Sequence, residues 1–551
     1  MASTDFLHGV EVVEVDDGIR PIQTLKASVI GLVGIAGKGE VNVPKLITSR
    51  REAVNVFGEW DDRDGFTLPY ALDAIFDQAG ATVVAINAFD PATEITAVAD
   101  EDVTLNALTG VGELAQRHVS SVAIETAISG PATLSDIASG IVTLPDGITI
   151  TAVKSADGVT TYVLDTDYSV TVNAGVSVVI TNLDAGIAQG ANILVEYTAT
   201  LVADTDYTVD AVKGLITRVI SGSKLLAGAT ITVDYNYVDP TLATEADIIG
   251  GVDGTTGDYE GVHALLGAKT VLGLQPRILL APGYTHQKPD ANTRNAVVAE
   301  LLGIADRMRA VIIADGPNTT DEAAVNYRGD YGSKRVYICD PFVKVTAPSG
   351  DTITQPYSPR MAGVISRTDK EIGFWASPSN KLIYGITGLA RPIEFTLGDP
   401  DARANYLNEN RVTTALREQG FRTWGNRTAA FDQKWTFLNV VRTNDMVAES
   451  ILQAHLWAVD RNINKQFFEA VVEGVNAYIR YLTNLGAILG GKAWADPDLN
   501  TPDVIQAGQV FIDYEFTPSY PAERITFRAH LVNDYVTEIF DQGAITTGAE
   551  I

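Results

Sequence analysis

Three short apolar runs decide the fold: RILLA at residues 277–281, AVIIA at 310–314 and RVYIC at 335–339. A helical pattern that ends at Met308 separates the first two runs, and a second helical pattern at residues 320–327 separates the last two. Buried strands that alternate with amphipathic helices are typical of parallel crossover units. The sequence therefore predicts a three-layer α/β core.

An earlier part of the chain extends this pattern. Residues 27–36 are mainly small or apolar, residues 70–79 have helical periodicity and stop at Gly80, and TVVAI at residues 82–86 has the composition of a buried strand. This strand most simply joins the same sheet. We therefore predict one discontinuous α/β domain, formed by residues 27–90 and 244–395.

The intervening residues 91–243 have a different composition. They hold 18 acidic and five basic residues, a net charge of −13, and none of the six tryptophans. Val, Ile, Thr and Tyr between Gly, Asp and Pro turns predict short strands. The sequence DTDYSV at residues 165–170 returns as DTDYTV at residues 204–209, 39 positions later. We predict an inserted all-β domain built from two related modules.

The last part of the chain is predicted to be an α+β domain over residues 396–531. A long helical pattern at residues 446–482 breaks near Asn462 and Asn464. VFIDYEF at residues 510–516 and RITFRAHL at residues 524–531 alternate like strands and predict a hairpin over residues 510–531. The fold class is thus multidomain α+β and α/β, with an inserted all-β domain and terminal strand arms.

These arms cover residues 1–26 and 532–551. GVEVVEV at residues 9–15 has a strand pattern with no hairpin partner nearby in the sequence. An unpaired strand is an aggregation hazard in a monomer but a connector in a polymer. We predict that this strand is donated to a neighbouring copy and that the C-terminal hairpin receives such a strand. The pairing residues would be Val10, Val12, Val13, Val15, Phe511, Tyr514, Phe516, Ile525, Phe527 and Ala529.

Charge restricts the possible partners. The 551 residues include 40 basic and 69 acidic ones, a net charge of −29. Such a chain is repelled by nucleic acid and by anionic membranes, so neither is an expected partner. No apolar run approaches the ~18 residues of a membrane span, and the single Cys339 excludes a disulfide framework within the chain. We expect a soluble protein that folds in a reducing cytosol.

The candidate chemical motifs are weak. GLVGIAGKG at residues 31–39 places five residues between its first glycine and the Gly-Lys pair, where a phosphate-binding loop needs four, and lacks the following hydroxyl. Asp315 and Asp340 each follow a core strand, where carboxylates serve as metal ligands or, more often, as caps and turn formers. The histidines show no zinc spacing. We predict no catalytic, cofactor or metal site and no enzymatic activity.

Four segments resemble contractile tail sheath proteins of tailed bacteriophages. They are residues 6–22 (FLHGVEVVEVDDGIRPI), 273–283 (GLQPRILLAPG), 406–428 (YLNENRVTTALREQGFRTWGNRT) and 508–536 (GQVFIDYEFTPSYPAERITFRAHLVNDYV). The most specific matches are WGNRT at residues 424–428 and AHLWAVD at residues 454–460. The resemblance covers residues 1–90 and 244–545, whereas simpler members of the family lack the β insert.

The resemblance implies a structural protein. Sheath subunits form hexameric rings stacked helically around a tail tube, and they contract to drive the tube through the host envelope during genome ejection. In the family, terminal arms cross to neighbouring subunits. The implied partners are other copies, the tail tube protein, and the baseplate and tail terminator proteins. The protein would assemble in the host cytoplasm and become part of the virion.

The resemblance also assigns positions to the domains. The C-terminal domain would be the inner, tube-facing one. Independently of the resemblance, the strand composition, the lack of tryptophan and the dense negative charge of the insert predict that it lies on the outer surface. Arg524 and Arg528 share one face of a predicted strand, and two interpretations stay open: a solvated face, or a contact with carboxylates of the tube or of an adjacent subunit. An alternative function is a virion surface-binding or decoration protein that acts through the insert. Exposed tyrosines at Tyr168 and Tyr207 would favour that alternative.

Overall fold

The computed structural model describes residues 22–24, 26–133, 140–173, 177–183, 187, 190–220, 223–290 and 293–533. The chain contains an α/β region and an all-β region, and it begins with a segment of strands and helices. Its elements are β1 (Val29–Gly34), β2 (Lys45–Ile47), α1 (Arg50–Phe57), α2 (Thr67–Phe76) and β3 (Thr82–Asn87).

The next region consists of strands. They are β4 (Ile95–Thr104), β5 (Val111–Glu113), β6 (Val119–Thr133), β7 (Ile141–Leu144), β8 (Ile148–Ser155), β9 (Thr161–Tyr162), β10 (Tyr168–Asn173), β11 (Ser177–Asn182), β12 (Asn192–Ala199), β13 (Tyr207–Asp210), β14 (Leu215–Arg218) and β15 (Thr230–Val238).

Helices and strands then alternate again, with short 3-10 helices at Pro240–Leu242 and Gly261–Gly267. The elements are α3 (Glu245–Ile249), α4 (Ala268–Leu272), β16 (Ile278–Leu280), α5 (Ala296–Met308), β17 (Val311–Asp315), α6 (Asp321–Gly329), β18 (Val336–Cys339), β19 (Val343–Thr346), β20 (Thr352–Gln355), α7 (Ser358–Glu371), β21 (Gly388–Leu389), α8 (Arg403–Glu409), β22 (Val412–Arg417) and β23 (Phe421–Trp424).

The C-terminal region is built on two long helices. Its elements are α9 (Leu438–Ala454), α10 (Lys465–Asn484), β24 (Ile488–Ala495), α11 (Pro502–Gln506) and β25 (Ile512–Pro518), with 3-10 turns at Gln433–Trp435 and Leu456–Ala458. The predicted break in the helical pattern is confirmed, because Asn464 caps α10 by accepting a hydrogen bond from the Phe467 N–H at 2.9 Å.

One eight-stranded sheet contains all the predicted core strands. Its strand order is β2-β3-β1-β16-β17-β18-β22-β23, and the pairs from β3 to β22 are parallel. The prediction that residues 82–86 join the sheet of residues 277–281 is confirmed, because β1 pairs with both β3 and β16. Only β2 and β23, at the two edges, are antiparallel to their neighbours.

Both faces of this sheet are buried, which explains the continuous apolar runs in the sequence. Ile30 and Leu32 pack on one face with the apolar residues of α2 and α7. Val29 and Val33 pack on the opposite face with α5. The α/β region therefore has one hydrophobic core on each side of its sheet.

The β-rich region has an internal repeat. In its six-stranded sheet, ordered β4-β15-β6-β12-β8-β9, strand β15 lies between β4 and β6, and β12 lies between β6 and β8. In the two three-stranded sheets, β14 lies between β13 and β5, and β11 lies between β10 and β7. The same arrangement thus occurs twice, and the 15-residue β6 belongs to both copies.

The sequence repeat marks equivalent turns in these two copies. Asp165 and Asp204 both have φ of 63°. In one copy the Asp167 carboxylate accepts a hydrogen bond from the Val163 N–H at 2.6 Å, and in the other the Asp206 carboxylate accepts one from the Val202 N–H at 2.9 Å. The DTDY motif is therefore a turn that starts β10 and β13.

Candidate assembly surfaces

Where the structure describes the N-terminal segment, it packs on the C-terminal helices. Ile22 and Ala27 are buried in the hydrophobic cluster formed by α9, α10 and β24. The Thr24 and Tyr478 hydroxyls lie 3.1 Å apart, and Arg442 donates to the Ala27 carbonyl at 3.3 Å. The predicted pairing residues Val10, Val12, Val13 and Val15 lie outside the described residues.

The C-terminal sheet differs from the predicted hairpin over residues 510–531. Strand β25 pairs antiparallel with β24, which precedes it by way of α11, and not with residues 524–531. Those later residues form no strand, and all of them are exposed. Alternating apolar residues need a partner strand for stable pairing, and Pro518 and Pro521 lack the N–H groups that would extend the ladder. The hairpin prediction is wrong.

The predicted pairing residues of the C-terminal region therefore lie in two places: in or next to β25, and in the extended segment that follows it. Tyr514 and Phe516 lie on one face of β25, with their rings stacked and 6.3 Å between centroids. Phe511 lies just before this strand, where its N–H donates to the Asn500 side chain at 2.9 Å. Ile525 is 70% exposed and Phe527 is 93% exposed. Ala529, Arg524 and Arg528 are exposed in the same extended segment.

The two edges of the C-terminal sheet are not equivalent. The side chain of Asn476, on α10, donates to the Ala493 carbonyl at 3.0 Å and accepts from the Ala493 N–H at 2.8 Å. Helix α10 thus occupies part of the outer edge of β24. Among the described residues no strand covers the outer edge of β25, since this sheet has two strands. Such an edge is a template for another chain.

Buried ion pairs fix α9 to the end of the α/β sheet. Arg335, next to β18, pairs with Asp445, and Arg277, next to β16, pairs with Glu449 at 3.1 Å. All four side chains are less than one-tenth exposed. The sequence does not predict these pairs, although Asp445 and Glu449 stand four residues apart on one helix face. Their arginine partners lie more than 100 positions away, which local patterns do not reveal.

Ion pairs and a histidine–carboxylate contact also fix the β-rich insert to the α/β region. Arg117 lies 2.5 Å from Asp61, and His118 lies 3.0 Å from Asp64. Arg63 and Glu113 are 2.7 Å apart. We call these six residues, 61, 63, 64, 113, 117 and 118, the insert clamp. Where the chain enters and leaves the insert, the Asp239 N–H donates to the Glu94 carbonyl at 3.0 Å.

The candidate chemical residues have structural partners. Asp315 accepts hydrogen bonds from the Ser358 N–H at 2.7 Å and from its hydroxyl at 2.5 Å, at the start of α7. Asp340 pairs with Arg391 at 2.6 Å. Burial raises the pKa of the Cys339 thiol well above its usual value. Among the described residues, no group of His, Cys, Asp and Glu side chains could hold a metal ion.

Three further features bear on function. The first part of the glycine-rich stretch, up to Gly34, lies in β1 and is not a phosphate-binding turn. Tyr168 and Tyr207 are buried, at 5% and 8% exposure, so they are not available to bind a ligand at the surface. None of the described helices combines the length and apolar character needed to span a membrane.

Three family models match most of the chain outside the insert. They are the tail sheath protein Gp18 domain III N-terminal region at residues 28–88, the phage tail sheath protein central domain at residues 257–429, and the phage tail sheath C-terminal domain at residues 431–546. The resemblance segments at residues 273–283 and 406–428 lie within the central-domain match, and the segment at residues 508–536 lies within the C-terminal match.

Relatives and solved structures agree with these matches. The tail sheath protein of Burkholderia phage BcepMu is 34% identical over 97% of this chain and 98% of its own length. The tail sheath protein of Escherichia phage P2 is 33% identical over 54% of this chain and 73% of its own. The anti-feeding prophage helical sheath in its contracted state covers 96% of this chain and 99% of its own, with a TM-score of 0.52 and 15% identity.

These likenesses are of two kinds. The structural neighbour, at 15% identity, shows the fold, and the BcepMu protein shows the family because the match runs through the insert as well as the core. The family consists of structural proteins, which agrees with the structural roles of Asp315 and Asp340. The chain belongs to the family of tail sheath proteins of contractile phage tails.

Proposed function

We propose that copies of this protein form hexameric rings, stacked helically around a tail tube, that contract to drive the tube through the host envelope. The observation that carries the proposal is the described C-terminal end of the chain. Within the described part of the chain, no strand covers the outer edge of β25, and an extended segment whose apolar side chains lie in solvent follows this strand. Both features are unfavourable in an isolated molecule and are resolved in a polymer.

The exposed side chains provide the driving force for this contact. Covering a large apolar side chain such as Ile525 or Phe527 contributes about 1.5–3 kcal/mol. Residues 524–531 therefore stabilise the polymer when a neighbouring copy covers them. Arg524 and Arg528 then meet carboxylates of the adjacent subunit or of the tube protein.

Strand exchange uses the outer edge of β25. The donated N-terminal strand, with Val10, Val12, Val13 and Val15, pairs along the β25 edge of a neighbour, because Asn476 already occupies part of the β24 edge. Backbone pairing gives such a contact its strength, and the alternate side chains give it register. Exchange at both ends keeps neighbours linked while the rings rearrange.

The domains occupy different radii in this assembly. The α/β domain predicted at residues 27–90 and 244–395 has three layers, supported by the two hydrophobic cores on its sheet. Its predicted end at residue 395 is too early, because β22 and β23 belong to the same sheet and extend the domain to residue 424. Of the predicted C-terminal domain, residues 396–531, the part that follows β23 forms the inner domain that faces the tube, and residues 532–551 form the C-terminal arm. The acidic insert at residues 91–243 lies outside. The tube, baseplate and tail terminator proteins are the other partners, and assembly takes place in the host cytoplasm.

Removing the donated strand tests this proposal. We expect a chain that lacks residues 1–18 to fold with an unchanged melting temperature, because a strand that pairs with a neighbouring copy does not stabilise its own subunit. It should fail to form tubes, as seen by negative-stain microscopy under conditions in which the full chain forms them. Normal tubes from the shortened chain would contradict strand donation.

The alternative function, surface binding or decoration through the insert, has no observation in its favour. Its distinguishing feature was a pair of exposed tyrosines, and both Tyr168 and Tyr207 are buried.

A further inference from the structure

The WGNRT motif at residues 424–428 joins three parts of the molecule. Gly425 has φ of 135°, and a Cβ atom there would lie 2.6 Å from the Asn408 side chain and 2.9 Å from the Thr413 Cα. Only glycine fits this position without displacement of its neighbours. The Tyr337 hydroxyl donates to the Gly425 carbonyl at 2.9 Å. The motif thus turns the chain sharply as it leaves the edge strand β23.

The asparagine of the motif connects this turn to the C-terminal segment. The Asn426 side chain donates to Asn439 Oδ1 at 2.9 Å, at the start of α9. Asn439 Nδ2 in turn donates to the Ser519 carbonyl at 3.2 Å, just after β25. The Ser519 hydroxyl also donates to the Gly486 carbonyl at 2.7 Å. Ser519 is therefore held against the body of the subunit.

The arginine of the motif holds a second point, four residues later. Arg427 Nε lies 2.7 Å from Glu523 Oε1, and Arg427 Nη2 lies 2.5 Å from Glu523 Oε2. This is a bidentate pair, which fixes orientation as well as distance. Every described residue after Glu523 is exposed. The pair therefore stands where the C-terminal segment leaves the subunit.

We propose that Arg427 is a positioning residue for assembly: by pairing with Glu523 it sets the point and direction in which the C-terminal segment departs toward a neighbouring copy. The inference rests on the proposed exchange of terminal arms. A segment fixed at Ser519 and again at Glu523 samples fewer directions than one fixed at Ser519 alone. Its effective concentration at the neighbour is therefore higher.

Charge reversal separates this role from that of an ordinary surface ion pair. The variants are R427E, E523R and the exchanged pair R427E/E523R, with K45E as the control. Lys45 forms an ion pair with Glu40 at 2.8 Å near the opposite end of the main sheet, so K45E makes the same change of charge far from the C-terminal segment. A chain that lacks residues 524–551 tests the proposed function separately. Assembly is followed by light scattering and microscopy, and folding by thermal unfolding.

We expect R427E and E523R each to assemble at least about tenfold more slowly at unchanged melting temperature, through the lower effective concentration of the segment. The exchanged pair should recover most of the rate, and K45E should behave like the unchanged chain. E523R keeps the test valid if R427E fails to fold, because Glu523 is exposed and outside the motif.

Two results would overturn the inference. In the first, R427E and E523R assemble at the normal rate. In the second, both single variants assemble slowly and the exchanged pair does not recover the assembly rate. If the chain without residues 524–551 still forms tubes, both the proposed use of the C-terminal segment and the role of Arg427 are wrong. If that chain forms no tubes while R427E and E523R assemble normally, the segment is required but Arg427 does not position it.

Discussion

Individual buried charges show what the sequence could predict about sites and what it could not. The sequence places Asp315 at the end of a core strand, and the structure confirms that position. Its partner, Ser358, is 43 positions away, so no local pattern could reveal that the carboxylate caps α7. The same holds for Asp340 and Arg391, which are 51 positions apart.

Asp315 gives a pH-dependent prediction at this scale. Burial raises its pKa to about 7, whereas an unfolded chain has an Asp pKa near 3.9. Between these two values the folded protein holds a proton that the unfolded chain has released, so the free energy of unfolding falls as pH rises. Replacing the carboxyl by an amide, in Asp315→Asn, removes this contribution while keeping an acceptor for the Ser358 N–H.

We therefore expect the unchanged chain to lose stability relative to Asp315→Asn from about pH 4 to pH 7, and to lose no more above that range. Urea unfolding at a series of pH values measures the difference. Glu418→Gln, the same chemical change at an exposed position, should follow the unchanged chain at every pH. Parallel curves for Asp315→Asn and the unchanged chain would show that Asp315 is ionised throughout.

At the scale of elements, local patterns predicted the core and failed at the end of the chain. Strands β16, β17 and β18 lie within one residue of the predicted runs, because continuous burial on both faces requires continuous apolar sequence. Residues 524–531 have an equally good alternating pattern but form no strand. A strand also needs a partner, and its pattern does not say in which chain that partner lies.

The attachment of α9 gives a prediction about an element. Removing one member of a buried ion pair leaves an uncompensated charge and costs about 3–5 kcal/mol. We expect Arg335→Met to lower the free energy of unfolding by this amount, because it leaves the buried Asp445 carboxylate without its ion-pair partner. The double variant Arg335→Met/Asp445→Leu should lose less, since no charge remains buried.

Urea denaturation measures both variants. Lys465→Met, in a pair whose side chains are 89% and 63% exposed, is the control and should change the free energy of unfolding by less than about 1 kcal/mol. Equal losses for the single and double variants would mean that packing, not charge, holds α9 in place.

At the scale of the whole molecule, the insert clamp limits how the β-rich insert can move. The two segments that connect the insert to the α/β region would by themselves act as a hinge. Arg117 and His118, with Asp61 and Asp64, add a third point of attachment. The sequence predicted an inserted domain from composition and repetition, but not this attachment, because the paired residues are 54 and 56 positions apart.

Assembly is also a property of the whole molecule. The described residues of one copy leave the outer edge of β25 without a partner strand and the apolar side chains that follow it in solvent. The terminal arms resolve both features if each copy completes the C-terminal sheet of another. This exchange, more than any single contact, is what would hold a contracting lattice together.

A cryo-EM map of tubes assembled from the full chain tests this exchange directly. We expect main-chain density of a neighbouring copy, with the valine-rich sequence of residues 9–15, along the outer edge of β25, and residues 524–531 covered by another subunit. The insert should lie at the outer radius. A map in which both ends of each chain fold back on their own subunit, with the β25 edge left uncovered, would contradict it.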